Sequence, residues 1–267
     1  MANVYVVAQN FEIYEGDKLD LFARTGKINI NHLYNVGAQG VILGHSETGD
    51  TPEIVNKKIL TILDFQNKTG MTVNKLIILV GETLEEYKNS SLEEIAKLVV
   101  KKCGIIFKKI PEGFLSNVII GYEPKWGSSG SGNNDVPPPE SELVSICINK
   151  IKNFINKKYG SSKKVFFIYG GRVTPERINI LNDSNLNGFI LGSASSSVER
   201  LLEIAKPMVE TQPNKTKILV CNFKAYKLAN PYEKYISVLR KLPTSFNIYL
   251  APPYTDIREI SDLISIF

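Results

Sequence analysis

The sequence predicts a single α/β barrel of eight successive βα units, and three observations lead there. Short β-branched or apolar runs bounded by Gly, Asn or Pro alternate with longer segments of helical period, the pattern of a parallel sheet with crossover helices. The 267 residues suit one large barrel, a class that runs to roughly 250 residues as one domain. Nearly every apolar run ends in a polar or glycine-bearing turn, as expected where strand ends converge on one rim.

In chain order the strands are expected at Val4 to Ala8, Gly40 to Leu43, Leu76 to Val80, Val118 to Tyr122, Val165 to Tyr169, Gly188 to Leu191, Ile218 to Cys221 and Ile248 to Ala251. Helical period appears between them at Pro52 to Gln66, Leu92 to Lys102, Glu140 to Lys158, Pro175 to Leu181, Ser197 to Met208 and Tyr232 to Leu242. No Pro/Gly linker separates two domains, so residues 1–267 are read as one. The one break in composition is TQPNKTK, residues 211–217, between a helix and the next strand.

Hydrophobic residues at 43% and charged residues at 22% are ordinary globular usage, and no segment has the length of a bilayer span. The net charge of +5 comes from lysines interleaved with acids, without the basic block of a nucleic-acid binder. Cys103, Cys147 and Cys221 are odd in number and far apart, which predicts neither a disulfide framework nor a metal site and fits a reducing compartment. The start, MANVYVVAQNFEIYEGDK, lacks the basic flank and long apolar run of a secretory signal. A soluble cytoplasmic protein is the expectation, with no membrane or nucleic-acid partner.

Four groups carry candidate chemistry. Glu123 follows the strand VIIGY and precedes Pro124, Lys125, Trp126 and the run GSSGSGNNDVPPP. It is either a base to be covered by a lid that excludes water, hinged at Pro124 and Trp126, or a surface glutamate beside a flexible loop. His45, in VILGHSE, either polarises a carbonyl as a neutral imidazole or is satisfied by backbone groups; His32, in INHLYNVG, is placed on a helix with no role. Lys224, at the end of VCNFK, either neutralises an anionic intermediate or is a surface lysine. The turns YGGRVTP and LGSASS follow consecutive strands, where such barrels bind phosphate on exposed backbone N–H groups.

Taken together, VAQN, TGKI, GHSE, VGETLEE, YEPKW, YGGRVTP, LGSAS, NFK and APPY resemble the triosephosphate isomerase family over almost the whole chain. The resemblance implies a TIM (β/α)8 barrel, circularly permuted: N-x-K and APP belong to the family's first and second strands, yet here both follow the motif of the eighth. Residues 211–217 would then join the family's original termini on the face opposite the site. Closure of such a barrel would pair 218–221 with both 188–191 and 248–251, and 248–251 with 4–8.

By resemblance Glu123 would move a proton between adjacent carbons, His45 would be the neutral electrophile, and Lys224 with Asn222 the electrostatic partners of the substrate oxygens. The phosphate would lie among Ser129, Gly130, Gly171, Arg172, Gly192 and Ser193. Arg172 stands where the family usually has serine, so its guanidinium either reaches the phosphate or projects into solvent, and the second is favoured because a helix end and Lys224 already supply positive potential. The substrates would be glyceraldehyde 3-phosphate and dihydroxyacetone phosphate, with no cofactor and no metal. A homodimer is implied, its finger at residues 10–26 ending in Thr25 and Gly26, with Glu47 supporting the neighbouring subunit. Two other readings stand beside an active isomerase: a catalytically degenerate barrel that binds a phosphometabolite or a protein partner, and a different phosphosugar isomerase or epimerase.

Overall fold

Eight parallel strands appear in the computed structural model, which describes residues 1–13, 25–128, 132–133, 135–161, 165–181, 184–211 and 215–266. They are β1 (Asn3–Val6), β2 (Gly40–Leu43), β3 (Lys75–Val80), β4 (Val118–Tyr122), β5 (Phe166–Gly170), β6 (Gly188–Leu191), β7 (Lys217–Asn222) and β8 (Phe246–Ala251). Their spatial order is β1-β8-β7-β6-β5-β4-β3-β2. The helices among the described residues are α1 (Ile30–Asn35), α2 (Pro52–Thr69), α3 (Leu84–Lys88), α4 (Leu92–Ile106), α5 (Ser141–Tyr159), α6 (Pro175–Ile180), α7 (Val198–Thr211), α8 (Tyr232–Leu239) and α9 (Ile257–Ile266).

The strand sequences are continuous apolar runs because both faces are buried. In β3, Leu76, Ile78 and Val80 pack outward against helices, whereas Ile77 and Leu79 point into the barrel with Ile42, Ile119, Ile168, Ile190, Ile218, Val220 and Tyr249. This inner cluster fills the barrel and leaves chemistry to the strand ends. Helix boundaries follow local chemistry. Thr51 caps α2 on the Ile54 N–H, Pro52 opens it, and Gly70 closes it with φ 71°. Ser91 and Glu94 form a capping box on α4.

The pairing expected from closure is present. Cys221 in β7 lies beside Leu191 of β6 and Leu250 of β8, and Val4 to Val6 of β1 lie beside Ile248 to Leu250. The first strand ends earlier than expected because the chain changes partners at its tip: the Val7 N–H donates to Leu250 O at 2.8 Å, whereas Ala8 forms a parallel bridge with Val41 of β2. Bonds from Ala8 N–H to Gly40 O and from Ile42 N–H to Ala8 O, both 2.9 Å, join the two outer strands.

Two expected boundaries shift at the 211–217 stretch. Thr211 still belongs to α7 and Lys217 already belongs to β7, while residues 212–214 lie outside the described set. Helices α1, α3 and α9 lie beyond the six expected, and α1 carries His32. His32 Nδ1 accepts the Asn29 N–H at 3.3 Å and caps its own helix. No helix among the described residues is long and apolar enough to cross a membrane, and Cys103, Cys147 and Cys221 are buried and free.

Candidate active site

The carboxyl ends of the strands enclose a cavity of about 320 Å³ whose wall includes His45, Glu123, Gly171, Arg172, Gly192, Ser193, Asn222 and Lys224. Residues separated by up to 179 positions (224 − 45) thus meet at one rim. Ser129 and Gly130 lie outside the described residues.

Glu123 stands one residue past β4, and its N–H donates to Val80 O at 2.9 Å, which continues the β3–β4 pairing. Its carboxylate is only 5% exposed, so it faces the cavity and not the open surface. The Ser46 N–H donates to Oε2 at 2.9 Å, and His45 Nε2 lies 3.4 Å from Oε1.

His45 ends the loop after β2 and begins a short 3-10 turn, Ser46–Thr48. Its Nδ1 accepts the Glu47 N–H at 3.1 Å. A protonated Nδ1 cannot accept, so this bond fixes the neutral imidazole with its proton on Nε2, the nitrogen facing Glu123 and the cavity.

Asn222 ends β7, is buried, and accepts the Lys224 N–H on Oδ1 at 3.1 Å. Lys224 has φ 49°, a left-handed conformation that a side chain disfavours. Gln9 holds it there: its Nε2 donates to Lys224 O at 2.9 Å and to Ala251 O at 3.0 Å, stitching the ends of β1, β7 and β8 together. The Lys224 ammonium pairs with Glu47 of the same chain. It also comes 3.3 Å from the place a Cβ would take on Gly192, a close approach that the glycine permits. One end of the cavity therefore combines an ammonium with the backbone turn that begins at Gly192 and Ser193, a setting suited to an anion.

Trp126 is buried, and its indole N–H donates to Glu82 Oε1 at 2.9 Å. Glu82 also accepts from Tyr122 OH at 3.1 and 3.2 Å, and its backbone carbonyl accepts the Lys125 N–H at 2.8 Å. Burial raises the Glu82 carboxyl above its ordinary range, with the Trp126 and Tyr122 bonds opposing it. Glu82 thereby ties Tyr122, Lys125 and Trp126, residues that flank Glu123, to the loop after β3. Sequence reasoning assigned Glu82 and Gln9 no role, although both sit in turns directly after strands, which is where such groups occur.

Arg172 does not project freely into solvent: its guanidinium reaches two backbone carbonyls of the loop after β4. Its Nε donates to Gly127 O at 3.3 Å and its Nη2 to Val136 O, while its side chain contributes to the cavity wall. Thr25 and Gly26 form an exposed turn, and residues 14–24 of the expected finger lie outside the described set.

The triosephosphate isomerase family profile matches residues 1–208. The chain is 34% identical over 190 residues to a triosephosphate isomerase of Alkaliphilus oremlandii, covering 68% of this chain and 70% of that protein. It is 32% identical over 211 residues to one of Treponema denticola, with 76% of each covered, and 32% identical over 208 residues to one of Borreliella burgdorferi, again with 76% of each covered. With that match spanning most of its length, the chain belongs to the triosephosphate isomerase family.

Proposed function

We propose that the chain interconverts glyceraldehyde 3-phosphate and dihydroxyacetone phosphate through an enediolate. The observation that carries the reading is the placement of a buried carboxylate 3.4 Å from the Nε2 of a neutral imidazole, on a cavity with an ammonium at its rim. Glu123 leaves the Ser46 N–H to take a proton from one substrate carbon and returns it to the neighbouring carbon. His45 donates through Nε2 to the substrate oxygen that gains charge, and the Lys224 ammonium stabilises that charge in a site with little water. Asn222 holds the Lys224 backbone and offers its amide to the same oxygens. The phosphate rests on the N–H groups of the Gly171 and Gly192–Ser193 turns, with Ser129 and Gly130 completing the grip, and Pro124 and Trp126 serve as the hinge. A coupled assay of triose phosphate interconversion tests the reading. Wild-type chain that binds triose phosphates without turning them over would instead be the degenerate barrel.

The proposal extends to chain order: relative to its family the barrel is circularly permuted, with residues 211–217 as the join. Supporting this, the family match stops at residue 208, while residues beyond it supply β7 and β8 between β6 and β1. The residues Asn222, Lys224 and the Ala251–Pro253 turn then occupy the places of the family's first two strands. We also propose a cytoplasmic homodimer formed through the 10–26 finger with Thr25, Gly26 and Glu47 at the contact, symmetric pairs being the commonest assemblies. A sedimentation experiment at micromolar concentration that finds only monomer would remove the dimer.

A further inference from the structure

Arg172 adopts φ 37°, a left-handed conformation that its Cβ disfavours. Strain of this kind persists where the surroundings over-determine it, and it clusters at functional sites. Among the described residues, two carbonyls take part in holding it. Nε donates to Gly127 O at 3.3 Å, and Nη2 donates to Val136 O. These residues stand at the two ends of the stretch that begins just past the hinge.

The far end is anchored separately, since the buried Arg177 of α6 donates to Pro139 O. The near end is coupled to the proposed base. The Gly127 N–H donates to Pro124 O at 2.9 Å, and Pro124 directly follows Glu123.

We infer that Arg172 is a positioning residue: a clasp that ties both ends of the 127–136 stretch to the loop after β5 and so fixes the backbone bearing Glu123. A guanidinium suits this task because its donors form a rigid planar fork that meets two acceptors at once. An ammonium in its place keeps the charge and loses the fork. Arg172 therefore acts through Gly127 and Pro124, and substrate phosphate is left to the backbone turns. The kinetic part of this inference rests on the isomerase reading; the structural part does not.

The test uses the full chain with Arg172→Ser and Arg172→Lys, and it has three readouts. In ligand-free protein, amide exchange in peptides covering residues 124–140 should accelerate by about fivefold or more in both variants, with the rest of the barrel unchanged. Turnover should fall by about ten- to a hundredfold, since small misplacements of a catalytic group cost that much, while KM and the Ki of inorganic phosphate stay within about threefold. Lysine should behave like serine, because the lost element is the fork and not the charge.

Unchanged exchange in both variants would overturn the clasp. So would a joint rise of about tenfold or more in KM and phosphate Ki in the serine variant that lysine restores, the behaviour of a direct anion ligand. If wild-type chain shows no isomerase turnover, the functional reading fails, and the exchange measurement still decides the clasp.

Discussion

Glu123 and Glu82 are both buried carboxylates just past a strand end, the first by one residue and the second by two, yet their surroundings assign them different work. Glu123 keeps one oxygen on the Ser46 N–H and faces the cavity, whereas Glu82 has indole and phenol donors on its oxygens and is not part of that cavity's wall. Replacing Glu123 by Gln keeps shape and loses the proton acceptor, so turnover should drop by about 10³-fold with urea unfolding unchanged; near-wild-type turnover would remove the base assignment. For Glu82 the prediction concerns stability. Its folded carboxyl holds a proton to higher pH than the unfolded value of 4.5, so above that value the folded state keeps a proton that the unfolded state has lost. Stability contributed by the group is therefore greatest below pH 4.5 and declines as pH rises through the raised folded value. Urea midpoints of wild type measured against Glu82→Gln should show this decline, and a pH-independent difference would mean that the group ionises alike in both states. His45 shows what sequence could supply at this scale. GHSE marked the residue, but its tautomer depends on the Glu47 N–H, a contact that only the folded turn creates.

At the scale of elements, the strands and long helices were legible because their signals are local: apolar runs for β2 to β8, and helical period for α2, α4 and α5, to which the structure then adds caps at Thr51 for α2 and Ser91 for α4. Helices α1, α3 and α9 were missed: α1 and α3 hold too few turns for a period alone to register, and six-residue α6 was legible only because Thr174 and Pro175 mark its start, whereas α9 has ten residues and length does not account for it. Long-range packing was also hidden, and Gly81 shows how much depends on it. A Cβ at Gly81 would stand 2.0 Å from Glu123 O and 2.8 Å from Pro124 N, both backbone atoms with nowhere to move cheaply. Gly81→Ala must push the end of β4 away from the end of β3, and with it the proposed base. The substitution should destabilise by about 1–3 kcal/mol, the usual cost of overpacking, and lower turnover by about tenfold or more through misplacement of Glu123. Urea unfolding together with kcat checks it; a variant matching wild type in both would show that the two loops are not rigidly packed.

At the scale of the whole molecule, the eight-stranded closure followed from counting units, whereas the proposed change of strand order came from the family motifs and not from any physical signal in the runs themselves. The structure offers a way to test that order. Arg240 sits between the two chain ends: its carbonyl accepts the Ala2 N–H at 3.0 Å, and its Nη2 donates to Ile264 O, near the end of α9, at 2.7 Å. The start of β1 and the end of α9 thus lie within one arginine of each other, and a linker of about four to six residues, ordinary for such connections, should join the end of α9 to the start of β1. A new start at Lys215 and a new end at Thr211 would then restore the proposed family order without touching Glu123, His45 or Lys224. Every strand pairing stays available because closure depends on neighbours in space and not on where the chain begins. The rearranged chain should unfold cooperatively and retain turnover within about tenfold of the original, as expected when a join moves far from the reacting groups. An insoluble or unfolded product across several linker lengths would show that the present order is required for the barrel to form. A folded product whose kcat falls by several orders of magnitude would show instead that the 211–217 segment influences the catalytic rim from the opposite end of the molecule.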